Sequence, residues 1–201
     1  MITEGFFGRR RDPELEKRMP PGQSKVDGFP VLSIGPTPRM GLTKWQLELK
    51  VAGQTFKSWN WNEFNDLPQT EMKRDIHCVT RWTKLDTLWK GVTFDDLLAD
   101  AGLVPPTEFV RFYSADSYTT NLPLEDLRGD KAMIATQFDG ETIAPDHGGP
   151  IRMVVPHLYF WKSAKWLTGI SFTNEDLPGF WERAGYHNYG DPWAEQRYTD
   201  D

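Results

Sequence analysis

The sequence contains a single cysteine, Cys78, in the run Asp75-Ile76-His77-Cys78-Val79-Thr80-Arg81-Trp82. Most lone cysteines are small buried hydrophobes. A thiol becomes a metal ligand or nucleophile as its thiolate, a form favoured by nearby positive charge, and Arg81 and Lys84 follow closely. A second block, Asp146-His147-Gly148-Gly149-Pro150-Ile151-Arg152, ends on a cation suited to phosphate, and its glycines let backbone approach a ligand. It reads equally as a glycine-rich turn into a buried strand, with Arg152 in an ordinary ion pair. In Tyr159-Phe160-Trp161-Lys162-Ser163-Ala164-Lys165-Trp166, bases interleave with rings, a mixture able to stack a heterocycle and pair an anion. Lysines snorkelling over core aromatics would give the same pattern. The aromatic loop from Gly179 to Trp193 contributes Tyr186, His187 and Tyr189.

These blocks need elements to hold them. Trp45 to Val51 alternates apolar and polar residues, as a half-buried strand does, and Gly53-Gln54 turns it into a second strand through Phe56. A helix is expected over Trp61 to Leu67, stopping before Pro68. The next strand runs into Cys78, and Trp89 to Val92 reads as a tight segment before a helix. Thr93 with Asp96 resembles a capping box for that helix, which presents Phe94, Leu97, Leu98 and Ala101 and ends at Gly102. Further strands are expected over Glu108–Ser114, Met133–Phe138, Pro150–Pro156 and Trp166–Phe172. Tyr118 to Leu122 leads to a short helix at Leu124–Leu127. Asp139-Gly140 is a hairpin signal. Many short strands with separate short helices indicate an α+β, β-rich fold.

At 201 residues the chain suits one large domain, residues 29–201, preceded by a charged arm over residues 1–28 that lies along the domain or stays mobile. A net charge of −6 argues against a nucleic-acid binder with a broad basic surface. Nine tryptophans and fifteen prolines favour a loop-rich protein with aromatic-lined pockets. Arg9-Arg10-Arg11 invites a twin-arginine export reading, but the charged residues that follow replace the apolar run such a signal needs. No stretch is long enough to span a membrane. The expected location is the cytoplasm.

Dinucleotide binding lacks its glycine fingerprint, and no serine nucleophile elbow occurs. His77 is not a base for Cys78, because neighbouring strand residues point to opposite faces. His187 leaves a cysteine hydrolase open. The four histidines show no zinc-type spacing.

Taken together and in order, the Cys78 run, His147-Gly148-Gly149-Pro150-Ile151-Arg152, Lys162-Ser163-Ala164-Lys165-Trp166-Leu167 and Gly185-Tyr186 resemble the sulfite oxidase superfamily, the oxidoreductase molybdopterin-binding domain. The resemblance covers about Phe29 to Tyr198 and is closest to the small bacterial stand-alone branch, with a likeness to methionine sulfoxide reductase catalytic subunits around Trp82. It implies the β-rich sulfite oxidase-type fold and a molybdenum held by one molybdopterin, with Cys78 as the protein ligand. By the same resemblance His147, Arg152, Ser163, Ala164 and Lys165 bind the cofactor, and Tyr186 sits beside the metal and substrate. Arg81 would offer charge to an oxyanion.

The resulting expectation is a two-electron oxygen-atom transfer on a small sulfur or nitrogen oxo compound. No haem, flavin or iron–sulfur motif is visible, so a separate electron-carrying protein is expected as partner. A cofactor-free scaffold of the same fold and a cysteine hydrolase using Cys78 are the alternatives.

Overall fold

Two β-sheets form the centre of the protein in its computed structural model, which describes residues 13–28 and 30–201. The run Arg9-Arg10-Arg11, with the start of the charged arm, lies outside the described residues. The strands are β1 (Ser24–Lys25), β2 (Gln46–Val51), β3 (Gln54–Asn60), β4 (Thr70–His77), β5 (Trp82–Thr93), β6 (Phe109–Ser114), β7 (Thr119–Pro123), β8 (Met133–Phe138), β9 (Glu141–Thr142), β10 (Arg152–Val154) and β11 (Leu167–Thr173). Four short helices accompany them: α1 (Pro13–Glu16), α2 (Trp61–Asn65), α3 (Phe94–Ala101) and α4 (Phe180–Arg183). The α+β, β-rich architecture expected from the sequence is the one observed.

One sheet runs in the order β3-β2-β11-β6-β7, and β11 lies parallel to β2 at its centre. The other follows β1-β5-β8-β10, with β4 also on β5 and β9 on β8. Here the structure departs from the expected tight segment at Trp89–Val92, because those residues belong to the twelve-residue strand β5. Its alternation is broken at Lys90/Gly91, where the register with β8 shifts. Gly91 is required there: a Cβ would stand 2.1 Å from the Ile134 carbonyl oxygen.

The helices begin where the sequence signals them. Asn60 caps α2 by accepting from the amides of Asn62 and Glu63, and the Glu63 carboxylate returns to the Asn60 amide. Thr93 caps α3 by accepting from the Asp96 amide at 3.1 Å, and Gly102 closes the helix in a left-handed conformation.

Leu47, Leu49, Ile170, Val110 and Phe112, from the five-stranded sheet, pack with Phe94 and Leu97 of α3 in one core. A second core gathers Ile76, Trp89, Met133, Val154 and Tyr159, and Cys78 is part of it. A cleft opens at the junction of the two and takes lining residues from both, Tyr118 from the first and Trp82 from the second.

The segment before β2 is tied down beside the site. Ser24 and Lys25 pair in parallel with Trp82 and Thr83. Arg18 holds the Asp75 carboxylate with two bonds, at 2.9 and 2.6 Å.

Candidate functional site

Cys78 stands on the turn that joins β4 to β5. Its amide donates to the Trp82 carbonyl at 2.9 Å, and the Arg81 amide donates back to the Cys78 carbonyl at 3.0 Å. The turn closes because Arg81 takes a left-handed backbone, φ 71°. The Thr80 hydroxyl donates to Sγ at 3.1 Å, and Gln23 Nε2 steadies the turn by donating to the Cys78 carbonyl at 3.0 Å. Burial pushes the thiol pKa up, while the Thr80 hydroxyl, the Thr80 and Val79 amides and the charge of Arg197 pull it down. The donors therefore suit an anionic sulfur, whereas the burial that opposes them works against a free reactive thiolate. A sulfur so placed could ligate a group that brings positive charge of its own.

Facing it, β10 begins with Arg152, a fully buried arginine. Its guanidinium donates to the His147 carbonyl at 2.6 Å and the Ser163 carbonyl at 2.8 Å, and lies over the Phe160 ring at 4.2 Å. The described ion pairs include no carboxylate for Arg152. Burial works against its charge, so this cation is costly unless an anion approaches it. Lys165 adds a second cation from the next turn: Nζ donates to the Asp146 carbonyl at 2.7 Å and to Ser33 Oγ at 3.1 Å. Burial brings the Lys165 pKa down to about 8.

The cleft has a volume of about 310 Å³, at the small end of the range for small-molecule sites (about 300–1,000 Å³). Cys78, Thr80 and Trp82 line it together with Arg152, Ser163 and Lys165. Trp161, Trp181 and Tyr186 form an aromatic wall, Trp181 stacked on Tyr186 with centroids 5.0 Å apart. Leu32, Ser33 and Ile34 line it from the segment before β2, and Asp116 lines it from the turn before Tyr118. Behind the wall, the buried Lys162 ammonium meets Glu182 at 2.7 Å, and Glu182 also accepts from the Trp161 indole at 2.9 Å.

Five of the residues singled out in the sequence thus meet on one cleft: Cys78, Arg152, Ser163, Lys165 and Tyr186. The others stand apart from its lining. Ala164 is buried behind the turn, its carbonyl accepting from the Met153 amide. His147 reaches the site through its carbonyl, which holds Arg152. Arg81 is exposed, and its guanidinium approaches Gly22. The two glycines are filled by this chain itself: a Cβ on Gly149 would stand 1.9 Å from the Ile143 carbonyl oxygen, and one on Gly148 would meet Lys165 at 2.9 Å.

No histidine lines the cleft. His77 Nδ1 pairs with the Thr83 hydroxyl, and His187 Nδ1 accepts from the Tyr189 and Gly190 amides; among the described residues neither ring is hydrogen-bonded to Cys78. Among the described residues no three His, Cys, Asp or Glu side chains cluster to hold a metal alone. A metal at Cys78 would need further ligands from a cofactor.

One neighbour was not evident in the sequence. Arg197, far along the chain, is 4% exposed, donates to the Val79 carbonyl at 2.8 Å and the Pro21 carbonyl at 3.2 Å, and lies over the Tyr159 ring. A lone arginine in a loop carries no pattern that would reveal those partners.

The family model for the oxidoreductase molybdopterin-binding domain matches residues 34–181, a span that includes Cys78, Arg152, Ser163 and Lys165. The chain belongs to this family. It is 44% identical over 195 residues to the uncharacterized oxidoreductase YuiH of Bacillus subtilis, covering 96% of this chain and 98% of YuiH. It is 27% identical over 133 residues to a putative protein-methionine-sulfoxide reductase subunit, YedZ1, of Azospira oryzae, covering 66% of this chain and 50% of that one. Among solved structures, the sulfane dehydrogenase SoxCD of Paracoccus pantotrophus shares the fold, with a TM-score of 0.62 and 19% identity over 74% of this chain and 42% of SoxCD. The sulfite oxidase-type fold implied by the resemblance is therefore present. No described helix is long and apolar enough to cross a membrane.

Proposed function

We propose that the protein is a molybdenum oxidoreductase that binds a single molybdopterin and transfers an oxygen atom to or from a small, uncharged sulfur or nitrogen oxide. The observation carrying this reading is the pairing, across one cleft, of a cysteine sulfur that accepts from Thr80 with a buried arginine whose partners are carbonyls. The residues fit the group: a soft sulfur ligand for a thiophilic metal at one side, cations for a phosphate at the other, aromatic rings between. When bound, the cofactor supplies the two-electron oxygen-atom chemistry.

The chain's own residues then have distinct tasks. Cys78 would ligate the metal, its sulfur oriented by Thr80. Arg152 and Lys165 would hold the anionic end of the pterin, and Arg152 ties the His147 and Ser163 backbones into one support. The Tyr186 hydroxyl is a proton-bearing group at the cleft wall, suited to orient a substrate oxygen, and burial together with Tyr198 and Cys78 raises its pKa so that it keeps its proton. The aromatic wall would limit the water that reaches the bound group, which strengthens each polar contact inside.

The character of the lining favours an uncharged S- or N-oxide over sulfite. Arg152 and Lys165 are assigned to the cofactor, Arg81 stands outside the lining, and Asp116 would repel an anion. The sulfoxide reductase named for YedZ1 agrees with that preference. A separate electron-carrying protein completes the proposal.

Metal and pterin analysis of the protein purified from a cofactor-competent host tests it. One molybdenum per chain is expected, lost in Cys78→Ser. Wild-type protein free of molybdenum, or unchanged metal retention in the variant, would sink the reading. Faster turnover of sulfite than of a panel of sulfoxides would overturn the substrate class.

A further inference from the structure

Arg197 is used by none of the roles above, yet it is among the most deeply buried charges beside Cys78. Its two hydrogen bonds go to carbonyls, Val79 and Pro21, one on the Cys78 turn and one on the segment before β1. Its Nε is buried and meets no acceptor among the described residues. Its guanidinium pairs with Glu195, a half-exposed carboxylate at 3.7 Å and so a loose partner, while the Asp201 carboxylate accepts from its backbone amide at 2.9 Å. A second cation adds to the imbalance: a Cβ on Gly22 would lie 3.0 Å from Arg81 Nη1, 3.3 Å from Glu195 Oε1 and 3.6 Å from Arg197 Nη2. The Arg197 and Arg81 guanidinium groups thus converge with the Glu195 carboxylate behind the turn, and of the three only Arg197 is buried. A buried cation whose counter-ion is distant and open to solvent is poorly compensated, so a further anion close by would stabilise it.

Resting on the molybdenum reading, we propose that Arg197 is a positioning residue for the metal ligand: it fixes the turn through the Val79 carbonyl and supplies the counter-charge to the anionic Cys78–metal centre, thereby setting that centre's reduction potential. Arg152 would then neutralise the phosphate end of the cofactor, and Arg197 would act on its metal end through the Cys78 turn. A fixed cation stabilises the more electron-rich state of a neighbouring centre, so removing it shifts the potential to more negative values.

The experiment is a redox titration of the metal-loaded full chain, followed by electron paramagnetic resonance and by the thiolate-to-metal absorption band. Wild type is compared with Arg197→Met, Arg197→Gln and Arg197→Lys, each with its molybdenum content measured. The expected result is a potential displaced to more negative values in the Met and Gln variants and close to wild type in Lys, which keeps the charge. If the Met variant does not fold, Gln against Lys decides, because Gln keeps a donor for Val79 without the charge. Metal-loaded Gln and Lys variants that share the wild-type potential, or a Lys variant shifted as far as Gln, would overturn the assignment. Wild-type protein without molybdenum would instead remove the reading on which it rests.

Discussion

Arg152 and Ser163 brace one another: the guanidinium donates to the Ser163 carbonyl at 2.8 Å, while the Ser163 hydroxyl accepts from the Val155 amide at 2.9 Å. The start of β10 and the turn before β11 are thereby locked in one frame, and the frame ends in a cation at the cleft. Replacing Arg152 with Met is expected to lower pterin content at least tenfold, since a charge-assisted hydrogen bond contributes about 1.5–3 kcal/mol. The fluorescent oxidation product of the pterin, measured per chain, is the readout. Normal pterin content would contradict the anchor role.

Lys165 gives the site a pH signature. Burial, with Arg152 adding to it and Asp146 and Asp116 opposing, lowers its pKa to about 8, below the ordinary lysine value of about 10.4. The folded chain sheds this proton before the unfolded chain does, so its contribution to stability rises with pH between about 8 and 10 and is least below about 8. Denaturant unfolding of the cofactor-free chain across that window should show the rise in wild type and lose it in Lys165→Met. Parallel curves for the two proteins would show that this amine does not titrate as described.

The buried pair behind the aromatic wall carries a different expectation. Lys162 and Glu182 meet at 2.7 Å with both side chains closed to solvent, and Lys162 also donates to the Asn121 and Asn188 carbonyls. Glu182→Gln or Lys162→Met alone leaves a charge buried without its partner, at a cost of about 3–5 kcal/mol. The double variant Lys162→Met with Glu182→Leu should cost less than the sum of the single changes. Urea unfolding followed by tryptophan fluorescence separates these outcomes.

Gly149→Ala tests whether the glycine pair serves ligand or scaffold. The added methyl would stand 1.9 Å from the Ile143 carbonyl oxygen, so backbone must move. The cost expected is about 1–3 kcal/mol or more, read as a fall in unfolding midpoint of the cofactor-free chain. A variant of wild-type stability with weakened cofactor binding would restore the reading of Gly149 as a ligand-approach residue.

How far these features can be seen in the sequence depends on whether their causes are local. β2 and β6 follow from alternation within each segment, β8 from a short run that meets the Asp139-Gly140 hairpin signal, and α3 from the Thr93 cap and Gly102 stop. β5 does not, because its residues answer to several partners at once: β4 along one edge, β1 and β8 along the other. With Gly91 fitted beneath Ile134, the strand loses the pattern that would betray it. The chemistry of the site divides in the same way. Cys78, Arg152, Ser163, Lys165 and Tyr186 are visible through the order of short runs that resemble a family, and they do share a cleft. Arg81 looks close to Cys78 in sequence, but a left-handed turn carries its side chain to the surface. Arg197 is remote in sequence and adjacent in space, a relation that no local pattern encodes.

The turn bearing Cys78 is gripped on one side by residues 21–25 and on the other by Arg197. Those two grips come from segments far apart in the sequence, so the turn is held only when distant parts of the chain have met. Contacts that close such long loops are slow to form, and the order of the Cys78 turn therefore depends on the fold as a whole rather than on its own residues.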